Sequence, residues 1–137
     1  MQTSENVEEY LEFLYMTKEK GVSIVKIKEV AEGLKIAPPS AVQMLKKMQK
    51  NTLVKYETRV GVSLTKKGRE RAREIVRNHR LAELLLKELL RMKVDEEAVC
   101  GLEHHINGTI ADTVCTRLHH PRKCPHGNYI PKGTCCP

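Results

Sequence analysis

The chain has 137 residues, of which 40% are hydrophobic and 30% charged, a balance suited to one or two compact units with a core large enough to fold. No apolar run approaches the ~20 residues of a membrane span, and the acidic opening MQTSENVEEY lacks the basic-then-apolar layout of a secretory signal, so a cytoplasmic location without membrane partners is expected. Five cysteines are an odd number outside any dense framework, which disfavours a disulfide-stapled scaffold and leaves thiols for metals.

The elements follow in order. Val7, Tyr10, Leu11, Leu14 and Tyr15 recur at helical spacing within residues 6–20, with Ser4 or Asn6 as the cap and Gly21 as the stop. Ile27, Val30, Ala31 and Leu34 mark a short helix, a turn runs through Lys35–Ala37, and Pro38–Pro39 open a second helix whose buried stripe is Val42, Leu45 and Met48. Two helices joined by so short a turn make a helix-turn-helix. Leu53–Glu57 and Val62–Leu64 alternate as strands around a turn at Arg59–Gly61, which adds a wing. Thr65 caps a helix expected from Lys66 to Met92, and two shorter helices follow over 94–106 and 109–118, broken at Asn107–Gly108. The tail, 119–137, is rich in Pro, Gly, Cys and His and reads as loop. The expected fold is mainly α, a winged helix-turn-helix over 1–65 followed by an all-helical domain over 66–137, whose long first helix suits a link between a head and a dimerisation body.

Charge is uneven along this frame. Residues 1–16 carry four glutamates and no base, 17–73 carry fifteen Lys or Arg against five Glu, and 74–137 carry nine against eight. A basic block inside a folded segment points to a polyanion, with nucleic acid the default. The start of a recognition helix faces the base edges. Here that is Ala37, Pro38, Pro39, Ser40 and Gln43; glutamine pairs with adenine, and apolar surface meets a thymine methyl. Lys26, Lys28, Lys46, Lys47, Lys50 and Arg59 suit phosphates, which position the module without reading sequence.

The second half concentrates metal donors. Cys100, Glu103 and His104 stand at i, i+3 and i+4, one helical face, whereas His105 is rotated about 100° away. His79 and Glu83 repeat the i, i+4 spacing on the long helix, and Glu9 and Glu12 stand at i, i+3 on the first. If these faces meet, two imidazoles, one thiolate and up to four carboxylates surround one pocket. Singly, each has a plain reading as surface charge, bonded histidine or small core residue. In the tail, Cys124, His126, Cys135 and Cys136, with His119 or Cys115 as further donors, are candidates for a structural Zn²⁺ or iron site, the alternative being a free tail.

These segments resemble a known family. EEYLEFLY, PPSAVQMLKKM, LTKKGRERA, NHRLAELLL and CGLEHHI, with the later CPHGNYIP, are similar to the diphtheria toxin repressor family of metal-activated transcriptional repressors, including its short manganese-responsive branch. The resemblance implies one metal site from Glu9, Cys100, Glu103 and His104. It implies a second from His79 and Glu83, with Glu12 or Glu96 as additions, and a short form lacking the SH3-like third domain. Glu9 looks like the manganese type and Cys100 like the iron type; a mixed site with one thiolate leans to Fe²⁺, with Mn²⁺ the alternative. A homodimer reading a palindromic DNA operator is expected, with metal shifting the population toward the DNA-binding form. Two rivals are a metalloenzyme, against which LEHHI is not an HExxH arrangement, and a winged-helix protein that is not gated by metal.

Overall fold

The computed structural model describes residues 5–137, which form two compact units, one ending at Arg73 and one running from Glu74 to Pro137. The first holds helix α1 (Glu5–Glu19), α2 (Ile27–Leu34), α3 (Pro38–Lys50), strands β1 (Val54–Glu57) and β2 (Gly61–Leu64) and the start of α4 (Lys66–Leu84). Helix α1 buries Val7, Tyr10, Leu11 and Leu14, the predicted stripe, while Tyr15 is half-buried. Asn6 is already inside the helix and so does not cap it, and Ser4 lies outside the described residues. Gly21 stops the helix as expected: at φ 97 it lets Val22 N–H reach back to the Thr17 carbonyl. Lys35 ends α2 the same way in a left-handed conformation, with Ile36 N–H bonded to the Ala31 carbonyl. That cap makes the turn of the helix-turn-helix.

Pro38 and Pro39 occupy the first two positions of α3, and Ser40 and Ala41 both donate their N–H to the Ala37 carbonyl. The buried stripe of α3 is Ala41, Leu45 and Met48; Val42, expected inside, is half-buried because the helix is turned toward the smaller Ala41. The wing is an antiparallel hairpin with Val54 opposite Leu64 and Tyr56 opposite Val62. Val25 adds a bridge that the sequence did not suggest, exchanging both backbone bonds with Val62 at 2.9 and 2.8 Å. A Cβ on Gly61, at φ 132, would stand 2.6 Å from the Val25 carbonyl oxygen, so only glycine lets that bridge form. Glu8 on α1, almost fully buried, pairs with Arg71 at the start of α4. Thr65 caps α4 as predicted, accepting from Gly68 N–H at 3.0 Å.

In the second unit α4 is followed by a π-helical turn (Leu85–Leu89), then α5 (Glu96–Glu103) and α6 (Gly108–Arg117). The long helix therefore ends sooner than the expected Met92: Arg91 turns left-handed at φ 52, and Met92 N–H closes the end on the Leu86 carbonyl. Asp95 caps α5 by accepting from the N–H groups of Glu97 and Ala98, and Asn107 caps α6 by accepting from Ile110 N–H at 2.9 Å. One apolar cluster joins Leu81, Leu84, Ala111, Cys115, Cys124 and Ile130, and a second joins Ala82, Leu86 and Val99. The tail is loop, as expected, yet firmly seated. Ile130 N–H bonds the Arg122 carbonyl, Cys124 N–H the Asn128 carbonyl, and the buried Arg80 guanidinium donates to the Tyr129 carbonyl.

Gly68 supplies a test of the head. A Cβ there would sit 1.9 Å from the Leu53 carbonyl oxygen, and backbone cannot swing aside as a side chain can. Gly68→Ala is expected to cost about 1–3 kcal/mol, read as a lower unfolding midpoint in urea with an unchanged slope.

Candidate metal centre and nucleic-acid interface

On the first unit, Ala37, Pro38, Pro39, Ser40 and Gln43 at the start of α3 are all exposed, as are Lys46, Lys47 and Lys50 further along it. Lys26 and Lys28 at the start of α2 and Arg59 at the wing turn are exposed too. Arg59 is held left-handed at φ 69, and Val60 N–H closes the turn on the Glu57 carbonyl at 3.1 Å. The sequence-predicted bases therefore lie on solvent-facing surface of the helix-turn-helix and its wing. A cleft of about 440 Å³ on the same unit is lined by Glu9 and Tyr10 of α1 and by Ser40, Gln43 and Lys47 of α3. Burial, then the Glu9 charge, raise the Tyr10 hydroxyl above its ordinary range. Glu12 is half-buried on α1.

On the second unit His79 is the hub. Its Nε2 lies 3.3 Å from Glu83 Oε1 and 4.0 Å from Glu96 Oε2, while its Nδ1 lies 3.2 Å from Glu103 Oε2. The Glu83 and Glu103 side chains are each only 2% exposed, against 62% for Glu96. The i, i+4 spacing of His79 and Glu83 and the docking of α5 through Val99 onto Ala82 and Leu86 put these donors together. Along α5 the second predicted pair forms as well: Cys100 Sγ is 3.8 Å from His104 Nε2, and His104 Nε2 is 3.9 Å from Glu103 Oε1. His105 is exposed, as its rotation requires.

The tail donors do not assemble as the sequence suggested. Cys124 and His126 group with Glu83, whereas Cys135 and Cys136 group with Cys115 and His120. Cys115 is one of the two further donors considered; His119 is exposed, and its neighbour His120 takes the place. The reason is the chain path: the Arg122–Ile130 loop carries CPHG back across α4, and the last residues turn toward α6. His126 is thus a donor that sequence reasoning misplaced. Its Nδ1 meets Glu83 Oε2 within hydrogen-bonding reach, and its Nε2 lies 3.7 Å from Glu96 Oε1. The only signal for it was the histidine inside CPHG.

This donor set suits a divalent cation. Two buried carboxylates facing one imidazole place negative charge where water cannot screen it, and a cation offsets that cost. Imidazole and carboxylate together suit first-row divalent metals. His79, with one nitrogen toward Glu83 and the other toward Glu103, links the two predicted groups, the arrangement by which a carboxylate fixes the ring of a metal-bound histidine.

Comparison with known proteins bears on both surfaces. A family model described as the iron dependent repressor N-terminal DNA binding domain matches residues 2–62, and one described as the iron dependent repressor metal binding and dimerisation domain matches 65–132. The chain belongs to this family of metal-dependent transcriptional repressors. It is 33% identical over 111 residues, 80% of this chain and 89% of the relative, to the uncharacterized HTH-type transcriptional regulator MJ0568 of Methanocaldococcus jannaschii. It is 32% identical to the regulator MntR of Bacillus subtilis, over 82% of this chain and 79% of that one. The structure of the manganese regulator SloR superposes with a TM-score of 0.79 at 31% identity, over 96% of this chain. The chain spans 61% of the length of that regulator. The winged helix-turn-helix followed by a helical unit, expected from sequence, is the fold of this family, which consists of transcriptional regulators rather than enzymes.

The buried acids yield a prediction in which stability reads occupancy. Saturating Mn²⁺ at a hundredfold excess over its dissociation constant should stabilise the protein by about 2.7 kcal/mol. Glu83→Gln should lose most of that rise in melting temperature while the metal-free protein melts no lower than the parent, since a buried charge has gone. Differential scanning fluorimetry with and without chelator checks both halves.

Proposed function

We propose that this repressor is activated by Fe²⁺, with Mn²⁺ as the second reading, and that it represses transcription as a homodimer on a palindromic operator. The observation that carries the metal reading is His79 standing between Glu83 and Glu103, with both carboxylates buried. The proposed ligands are Glu9 and Glu12 from α1, and His79, Glu83, Cys100, Glu103 and His104 from the second unit, with Glu96 and His126 as additions beside Glu83. Glu9 and Glu12 enter through the family resemblance and their spacing. Cys100 favours iron over manganese, because thiolate is a softer donor than carboxylate or water. The many carboxylates favour manganese, which keeps that reading in play. The manganese regulators among the solved relatives and the iron-dependent repressor IdeR of Mycobacterium tuberculosis, 30% identical over 93% of this chain and 56% of its own length, support one reading each.

When bound, the cation neutralises the acids and joins ligands that otherwise repel. The residues of the chain do the rest. Gln43 and the apolar surface of Ala37 and Pro39 read base edges, with Ser40 bonding base or phosphate. Lys26, Lys28, Lys46, Lys47, Lys50 and Arg59 neutralise phosphates. Two copies would set two recognition helices about 34 Å apart, one turn of the duplex. A coupling of about 1–3 kcal/mol between cation and DNA is typical of such linkage.

The deciding experiment measures DNA binding against a panel of divalent ions at fixed salt, with a chelator control. Fe²⁺ is expected to tighten binding about ten- to a hundredfold, anaerobically, and the Glu9→Gln, His104→Ala variant to lose that gain. Equal stimulation of variant and parent overturns the ligand set; equal binding with and without chelator overturns metal gating. Gln43→Ala should cost about 1–3 kcal/mol of discrimination at one base pair. Lys47→Ala should weaken binding to all sequences and lower the salt slope by about one. Fluorescence anisotropy titrations over a salt series separate the two.

A further inference from the structure

The last residues of the chain meet the end of α6 around four donors that the regulatory centre does not use. Cys115 Sγ lies 3.5 Å from His120 Nδ1 and 3.7 Å from Cys136 Sγ. Cys135 Sγ lies 3.8 Å from the same His120 nitrogen and 3.9 Å from Cys136 Sγ. All four donor atoms lie within 4.8 Å of one another. Zinc bonds of about 2.3 Å to sulfur and about 2.0 Å to nitrogen, set tetrahedrally, put sulfurs about 3.8 Å apart and sulfur about 3.5 Å from nitrogen. The two sulfur–sulfur separations, 3.7 and 3.9 Å, and the two sulfur–nitrogen separations, 3.5 and 3.8 Å, lie close to those lengths. They are far beyond the ~2.05 Å of a sulfur–sulfur bond, and all five cysteines are free thiols.

The backbone is bent to bring these donors together. Helix α6 ends with two consecutive left-handed residues, His119 at φ 60 and His120 at φ 53, a conformation uncommon outside glycine. The bend carries His120 N–H back to the Cys115 carbonyl at 2.8 Å. At the other end Cys136 N–H bonds the Gly133 carbonyl at 3.1 Å in a turn. Two guanidinium groups then face the sulfurs: Arg77 Nη2 donates to Cys135 at 3.4 Å and Arg122 Nη2 to Cys136 at 3.3 Å. Arg77 is nearly buried and also pairs with Asp112 at 2.9 Å. A Cβ on Gly133 would come within 2.4 Å of the Arg77 guanidinium, so glycine there leaves room for that donor. Three thiolates and one neutral imidazole around Zn²⁺ carry one net negative charge, and such outer donors stabilise it.

We propose that Cys115, His120, Cys135 and Cys136 hold a structural Zn²⁺ that fastens residues 119–137 to α6, separate from the regulatory cation. Binding exchanges three thiol protons for the ion and involves no redox step. A closed set of four protein ligands leaves no open position for chemistry, which marks the site as structural.

The test uses the full chain, purified with zinc under reducing conditions and dialysed against a chelator strong enough to strip the regulatory centre. Elemental analysis is expected to find one zinc per chain retained, and mass spectrometry after alkylation to find Cys115, Cys135 and Cys136 protected while Cys100 reacts. The Cys135→Ser, Cys136→Ser variant should lose that equivalent yet still take up Mn²⁺ at the parent's stoichiometry. No retained zinc in the parent, or equal alkylation of all the thiols with zinc present, overturns the proposal. Should the double variant fail to fold, the protection pattern of the parent decides alone. Loss of metal-stimulated DNA binding in other variants leaves this result untouched, so the two readings fail separately.

Discussion

Two carboxylates that cannot reach water govern the second unit. Glu83 on α4 and Glu103 at the last turn of α5 are both buried, and the His79 ring lies between them with one nitrogen toward each. A buried charge that nothing offsets costs more than one apolar contact returns. The elements around them are correspondingly fixed. Asp95 and Asn107 pin the starts of α5 and α6, Val99 seats α5 on Ala82 and Leu86, and Asn78 donates to the Ile106 carbonyl where the two helices meet. The π-helical turn begins two residues after Glu83, and such irregular turns recur near functional positions. Offsetting the charge of these two acids is what the proposed cation would supply to the unit.

The first unit meets a different demand. Its surface must stay wet and charged while its small core holds three helices and a hairpin. The buried Glu8–Arg71 pair ties α1 to the start of α4, and the Val25–Val62 bridge ties the wing to the segment before α2. Both contacts join parts far apart in sequence, so the lysines of α3 and the wing are carried on a braced frame. A cleft shared by Glu9, Gln43 and Lys47 sets one of the proposed cation ligands and the reading helix around the same space.

The periodic parts of this architecture were legible in the sequence. Val7, Tyr10, Leu11 and Leu14 declare their helix by spacing, Pro38–Pro39 declare the start of another, and Cys100 with His104 at i, i+4 meet as geometry dictates. What the sequence concealed depends on the path of loops, which have no period. His126 reaches Glu83 because the Arg122–Ile130 turn folds back, and Cys135 and Cys136 part from Cys124 for the same reason. The exchange of His119 for His120 turns on two left-handed residues, and no propensity assigns that conformation to histidine pairs. Helix ends were similarly opaque: the run LLLKELL reads as helix throughout, yet the ladder loosens at Leu85 and stops at Leu90.

The opening of α3 has a consequence of its own. Most helices begin with bare amide hydrogens, which make that end a ready site for an anion such as phosphate. Here Pro38 and Pro39 have none to offer, and those of Ser40 and Ala41 are spent on the Ala37 carbonyl. The first turn of α3 is therefore a blunt, oily wedge whose two prolines give an anion no backbone hold. If that turn meets DNA as proposed, anchorage falls to lysine and arginine side chains elsewhere, and the tip is left to favour one groove floor over another by shape and methyl contact.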